Sequence, residues 1–121
     1  MISYANVVYL QSHKASRTIR SKYKASSNVF IVFMGIYVFT MIKGIDFSRS
    51  QILHFVTYYN MNKITSYFNR LLDIGLIIDY GEVKGRIRYK VTDLGMQAIR
   101  EYNELLDKSV ISFCSQYGIS L

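Results

Sequence analysis

Residues 61–77 read MNKITSYFNRLLDIGLI, and the spacing of their apolar side chains decides how the chain on either side is to be taken. Ile64, Phe68, Leu71, Leu72 and Leu76 recur at helical intervals, which places them on one inward-packing face. The opposite face carries Asn62, Lys63, Thr65, Ser66, Asn69 and Arg70, with Tyr67 at its edge and Asp73 as its only acid. Cations, amides and hydroxyls suit base edges and phosphates, but an ordinary solvated helix has a polar outer face too, so the flanking segments must decide. Gly75 is placed as a left-handed C-cap, after which Leu76, Ile77 and Ile78 begin a strand.

Immediately upstream, residues 48–59 (SRSQILHFVTYY) open on Ser48, a good N-cap, and offer Ile52, Phe55 and Val56 as an inward set. Asn60 is a second cap just ahead of Met61. Two short helices joined by a tight turn form a helix-turn-helix, whose second helix enters a major groove. Arg49, at the start of the first helix, is counted with the DNA-facing cations.

Downstream, residues 77–80 and 87–91 read as strands joined by GEVKG, with Gly81 and Gly85 in the loop. Ile87, Tyr89 and Val91 alternate with Arg86, Arg88 and Lys90, so one face is apolar and the other cationic. A hairpin directly after a helix-turn-helix is a wing, and Lys84, Arg86, Arg88 and Lys90 set against the single Glu82 exceed what solubility requires. Thr92 then caps a long helix with Asp93 in its first turn. Its residues Ile99, Tyr102, Leu106, Val110, Phe113 and Tyr117 make a seam of heptad type, which favours pairing with a second copy of the chain over packing on its own domain.

Ahead of the helix-turn-helix lies the most apolar run, residues 29–42 (VFIVFMGIYVFTMI). At 1.5 Å per residue it extends about 21 Å, short of a hydrocarbon core of about 30 Å. The expectation is a helix buried on all sides, in the middle of the domain or between two subunits, with Gly35 permitting a close helix approach and Ser26, Ser27 or Asn28 as its cap. Residues 45–47 read as a plain connection. Residues 2–10 fit a helix, whereas 11–27 are polar and basic, with Ile19 and Tyr23 as the only large apolar pair. Those residues suit either a basic helix on phosphates or a solvated arm, and the arm is preferred.

Composition bounds the function. The chain has 121 residues, half of them hydrophobic and 11 of them Tyr, which describes one globular domain rather than a disordered segment. The net charge of +7 attracts polyanions, and the first 45 residues hold Lys14, Arg17, Arg20, Lys22, Lys24 and Lys43 but no acid. Cys114 is the only cysteine, which fits a reducing compartment, and residues 1–10 have no basic start or small-residue cleavage pattern, so a cytoplasmic protein is expected. His13, His54 and Cys114 give no metal or nucleophile spacing, no phosphate loop is present, and the acids fall singly. Neither an enzyme nor a cofactor or metal is expected.

With these elements in order, the chain resembles the winged-helix regulators of the multiple-antibiotic-resistance (MarR) family. The resemblance rests on KITSYFNRLLDIGLI, residues 63–77, and YKVTDLG, residues 89–95. It implies a homodimer that places both recognition helices on DNA. The wing GEVKGRIR departs from the family pattern, with Asp79 and Arg86 as loose counterparts of its acidic and arginine residues, and one terminal helix stands where the family has two. A small-molecule effector is therefore possible but unsupported. PadR-like winged helices and regulators of mobile elements are near alternatives.

The reading that results is a mainly α, α+β winged helix: residues 1–27 as a basic arm or helix, 28–92 as the winged core, 93–121 as a dimerisation helix. DNA contact is assigned to Arg49, Asn62, Lys63, Thr65, Ser66, Tyr67, Asn69, Arg70, Lys84, Arg86 and Arg88. Dimerisation is assigned to Ile99, Tyr102, Leu106, Val110 and Phe113. The alternatives are a winged-helix module that binds protein and, on length a poor fit, a peripheral membrane protein.

Overall fold

The structure is a computed structural model. It describes the backbone of residues 4–118 and the side chains of residues 13–118 other than that of Phe113. The elements run α1 Tyr4–Tyr23, α2 Ser27–Lys43, β1 Asp46–Phe47, α3 Arg49–Val56, α4 Met61–Ile74, β2 Ile77–Val83, β3 Arg86–Val91 and α5 Asp93–Gln116. The three strands form one antiparallel sheet in the order β1-β3-β2, and the arrangement is a winged helix-turn-helix of α+β class.

Local chemistry explains the boundaries. Ser26 Oγ accepts the Val29 N–H at the start of α2, and Ser48 and Gln51 form a reciprocal capping box on α3. Asn60 caps α4, and Gly75 ends it at φ 90°, where a residue with a Cβ is strained. The wing turns on Lys84 and Gly85, both at positive φ, as a two-residue hairpin turn requires. Thr92 joins the halves: its hydroxyl donates to the Gly75 carbonyl at 2.6 Å and accepts the Gly95 N–H at 3.0 Å. Gly95 is glycine because a Cβ there would drive into the Leu76 carbonyl oxygen.

The core is one cluster to which every helix and the sheet contribute. At its centre the Phe47, Phe68 and Tyr89 rings pack with centroids 5.0–6.1 Å apart, fastening β1, α4 and β3 together. Gly35 lets α3 approach α2, since a Cβ there would lie 2.7 Å from Val56 Cγ2.

Several expectations are corrected. Residues 11–23 belong to a helix, not a solvated arm: Ala15, Ile19 and Tyr23 recur every four residues, are buried, and face inward while the polar residues surround them. Of the helix expected over 2–10, residues 2 and 3 lie outside the described residues. Residues 46–47 are a strand rather than a connection, so the wing sheet is three-stranded, and β2 extends to Val83.

The apolar helix α2 is not buried all round. Its Val29, Phe30, Val32, Phe33, Ile36 and Phe39 are inside, whereas Met41 and Ile42 are 67% and 62% exposed. It has 17 residues and meets α1 at a bend of 102°; among the described residues no single helix is long and apolar enough to cross a membrane. Phe55 is exposed at the edge of α3, its ring edge-on to that of Phe39, while Leu53 faces the core.

The seam on α5 divides. Ile99 is 2% exposed within this chain and Tyr102 packs edge-on against Phe30 at 5.2 Å, so both belong to the intrachain core. The wing does not close the domain; the first half of α5 does. Leu106 and Val110 are half-buried, Ile111 is exposed, and the Phe113 side chain lies outside the described residues.

Candidate nucleic-acid interface

The burial of Ile64, Phe68 and Leu71 turns the other side of α4 outward. Asn62, Lys63, Ser66 and Asn69 are exposed along it, and Thr65 is half-buried beside them. Asn60 Oδ1 accepts the Lys63 N–H at 2.9 Å, which satisfies the first turn locally and leaves these side chains free to point away from the core. Tyr67 is held inward instead: its ring meets that of Tyr59 at 5.1 Å, and the Tyr59 hydroxyl donates to Asn28 Oδ1 at 3.0 Å, tying the helix-turn-helix turn to α2.

Beside this face lies an open cleft of about 390 Å³. Ser48, Arg49 and Ser50 at the start of α3 form one side, Met61 at the start of α4 another, and Glu82, Gly85, Arg86 and Ile87 of the wing the third. Arg49 donates to Thr65 Oγ1 at 3.3 Å, which keeps its guanidinium at the cleft between the two helices. Lys84 and Arg86 are exposed at the wing tip, and the only ion pairs among the described residues are Lys22–Glu101 and Arg88–Asp46. The tip cations thus form no ion pair among the described residues, and with two of them beside the single Glu82 a polyanion is the complementary surface.

Two of the arginines expected on DNA are engaged by partners within the chain, Arg70 at the surface and Arg88 partly buried. Arg70, near the end of α4, donates to the Lys24 carbonyl at 2.8 Å and so satisfies the C-terminal end of α1. Arg88 pairs with Asp46 and donates to Gln51 Oε1 at 2.9 Å. Lys90 is likewise drawn back, its ammonium lying 4.4 Å from the Tyr80 ring centroid. Alternation along β3 put Arg88 and Lys90 on one face with Arg86, but there Arg88 meets Asp46 of β1 and Gln51 of α3, and Lys90 meets Tyr80 of β2.

Missed by sequence reasoning is Tyr58, 82% exposed in the turn just ahead of α4 with its ring edge-on to that of Tyr59. The signal was the Tyr58-Tyr59-Asn60 break in the apolar pattern, which marks a turn but does not say which tyrosine packs. Among the described residues no three His, Cys, Asp or Glu side chains come together. The gap enclosed by Ile19, Phe30, Phe33, Leu71 and Ala98 holds about 10 Å³, too little for anything larger than a water.

Electrostatics also fasten α1 to α5. Lys22 Nζ reaches both Glu101 oxygens at 2.8 Å, and the Tyr23 hydroxyl donates to Glu101 at 3.2 Å. The Lys22 ammonium, and then the Gln97 amide, hold the Glu101 carboxyl below the usual carboxylate range. A carboxyl whose folded pKa is depressed contributes stability above its unfolded value of about 4.3 and loses it as pH falls through the lower folded value. Glu101→Gln is therefore expected to lower the melting temperature at pH 7, with the difference from wild type shrinking as pH falls below about 4.3 and through the lower folded value. A difference independent of pH in thermal melts would show that the charge plays no part.

No family model matches the sequence, and no curated protein matches it significantly. Solved structures do. A MepR variant from S. aureus, bound to an oligodeoxyribonucleotide, superposes with a TM-score of 0.72 at 12% identity over 96% of this chain and 85% of that one. A MarR variant from E. coli complexed with operator DNA gives a TM-score of 0.60 at 12% identity over 96% and 81%. NadR in complex with 4-hydroxyphenylacetate gives 0.58 at 15% identity over 96% and 82%. The fold is the MarR-like winged helix.

Proposed function

We propose that this chain is a dimeric, sequence-specific regulator of transcription that binds double-stranded DNA in the cytoplasm, with α4 in the major groove and the wing on the backbone or minor groove. The observation that carries the reading is the acid-free run Asn62, Lys63, Ser66 and Asn69 on the solvated side of α4, set beside a cleft flanked by Arg49 and Arg86. Two proteins of the same fold, the MepR and MarR variants, are bound to oligodeoxyribonucleotide and operator DNA, which supports it. Amides, hydroxyls and one cation on α4 read base edges; Arg49, Lys84 and Arg86 neutralise phosphates. Selection of bound duplexes from a randomised pool tests this reading: enrichment of a two-fold symmetric sequence is expected, and an unenriched pool contradicts it.

Dimerisation is assigned to the second half of α5, where Leu106 and Val110 remain partly open beyond the intrachain core. Replacing both by Asp would place four charges in a two-fold interface. Sedimentation should then show dissociation of the dimer and titration a weaker hold on a two-half-site duplex, by at least about tenfold. A wild-type monomer at micromolar concentration would refute the assignment. A protein-binding module is the second reading, favoured by the exposed Met41 and Ile42 at the end of α2.

A further inference from the structure

The polar side of the wing sheet holds a chain of contacts that joins four elements. The Tyr80 hydroxyl on β2 donates to one Asp46 oxygen on β1, Arg88 on β3 donates to the other, and the same guanidinium donates to Gln51 Oε1 on α3. Gln51 Oε1 also accepts the Ser48 N–H at 2.9 Å, so the network ends on the capping box of the first helix of the helix-turn-helix.

Its position in the sheet gives it leverage. Asp79 pairs with Tyr89 and Gly81 with Arg88, leaving Tyr80 as the extra residue of a β-bulge in β2. A bulge bends its strand and increases the local twist, so it sets the direction of everything beyond it, here the wing tip with Lys84 and Arg86. Gly81 at φ 129° and its N–H bond to Asp79 Oδ1 at 2.9 Å complete the bend. Arg88, paired opposite the bulge, holds the Asp46 carboxylate to which Tyr80 is tied.

We infer that Asp46, Arg88 and Tyr80 are positioning residues for DNA binding: they fix the angle of the wing tip to α3 and α4 so that tip cations and recognition helix meet one duplex at once. The inference rests on the DNA-binding reading above. It assigns Arg88 no phosphate and gives an acid, Asp46, a part in holding a polyanion. A group acting only through its charge would do the reverse, since removing a carboxylate from the binding side of a basic protein strengthens its attraction to DNA.

Asp46→Asn separates the two possibilities because it keeps every cation. With duplex DNA titrated at several salt concentrations, the clasp predicts binding weaker by about tenfold and a shallower salt slope, because the tip cations lose their phosphates. Loss of global stability alone would lower the active fraction and leave the slope of the folded protein as it was. Arg88→Lys, which keeps the charge but not the two-armed geometry, should weaken binding similarly, and Tyr80→Phe by about threefold. These two carry the test if Asp46→Asn does not melt cooperatively. Asp46→Asn binding as tightly as wild type or more tightly, or Arg88→Lys matching wild type, overturns the clasp while the DNA-binding reading stands. A wild-type chain that binds no duplex at low salt overturns both.

Discussion

Phe68→Ala is expected to destabilise the fold by about 3–5 kcal/mol, enough to leave a marginal domain substantially unfolded. Phe68 is 1% exposed and touches both partners of the central aromatic trio, Phe47 on β1 and Tyr89 on β3. Its loss opens a cavity where the recognition helix is seated on the wing sheet, and the surrounding groups come from three rigid elements that cannot collapse into it together. Chemical denaturation should show a large fall in midpoint, with binding lost in parallel. A change under 1 kcal/mol would mean that α4 is held by contacts other than these.

The second large effect concerns charge alone. Lys63→Glu combined with Arg86→Glu should weaken duplex binding by roughly two orders of magnitude, since each reversal removes a contact and adds repulsion. Both side chains are exposed and neither forms an ion pair among the described residues, so the melting temperature should stay within about 2 °C of wild type. Unchanged affinity would show that α4 and the wing do not share a ligand.

The helix-turn-helix and its wing were legible in the sequence because their determinants are local. Ser48, Asn60 and Gly75 mark helix ends by their own backbone chemistry, and the spacing of Ile64, Phe68 and Leu71 fixes which side of α4 is wet. What could not be read depends on distant partners. Ala15, Ile19 and Tyr23 make a narrow stripe among polar neighbours, convincing only once α5 lies against it. Two residues of β1 are too few to show a period. Alternation placed Arg88 with the other wing cations but could not reveal an acid 42 residues upstream. Arg70 finds a carbonyl 46 residues away. A heptad stripe, likewise, does not say whose core it enters, and Ile99 enters its own.

The central claim, that the α4 face and the wing together bind duplex DNA, is tested most directly by titrating the selected duplex between 50 and 200 mM salt. With Arg49, Lys84 and Arg86 on phosphates in each of two protomers, log K should fall against log salt with a slope of about −5. No binding at the lowest salt, or a slope near zero, would contradict it.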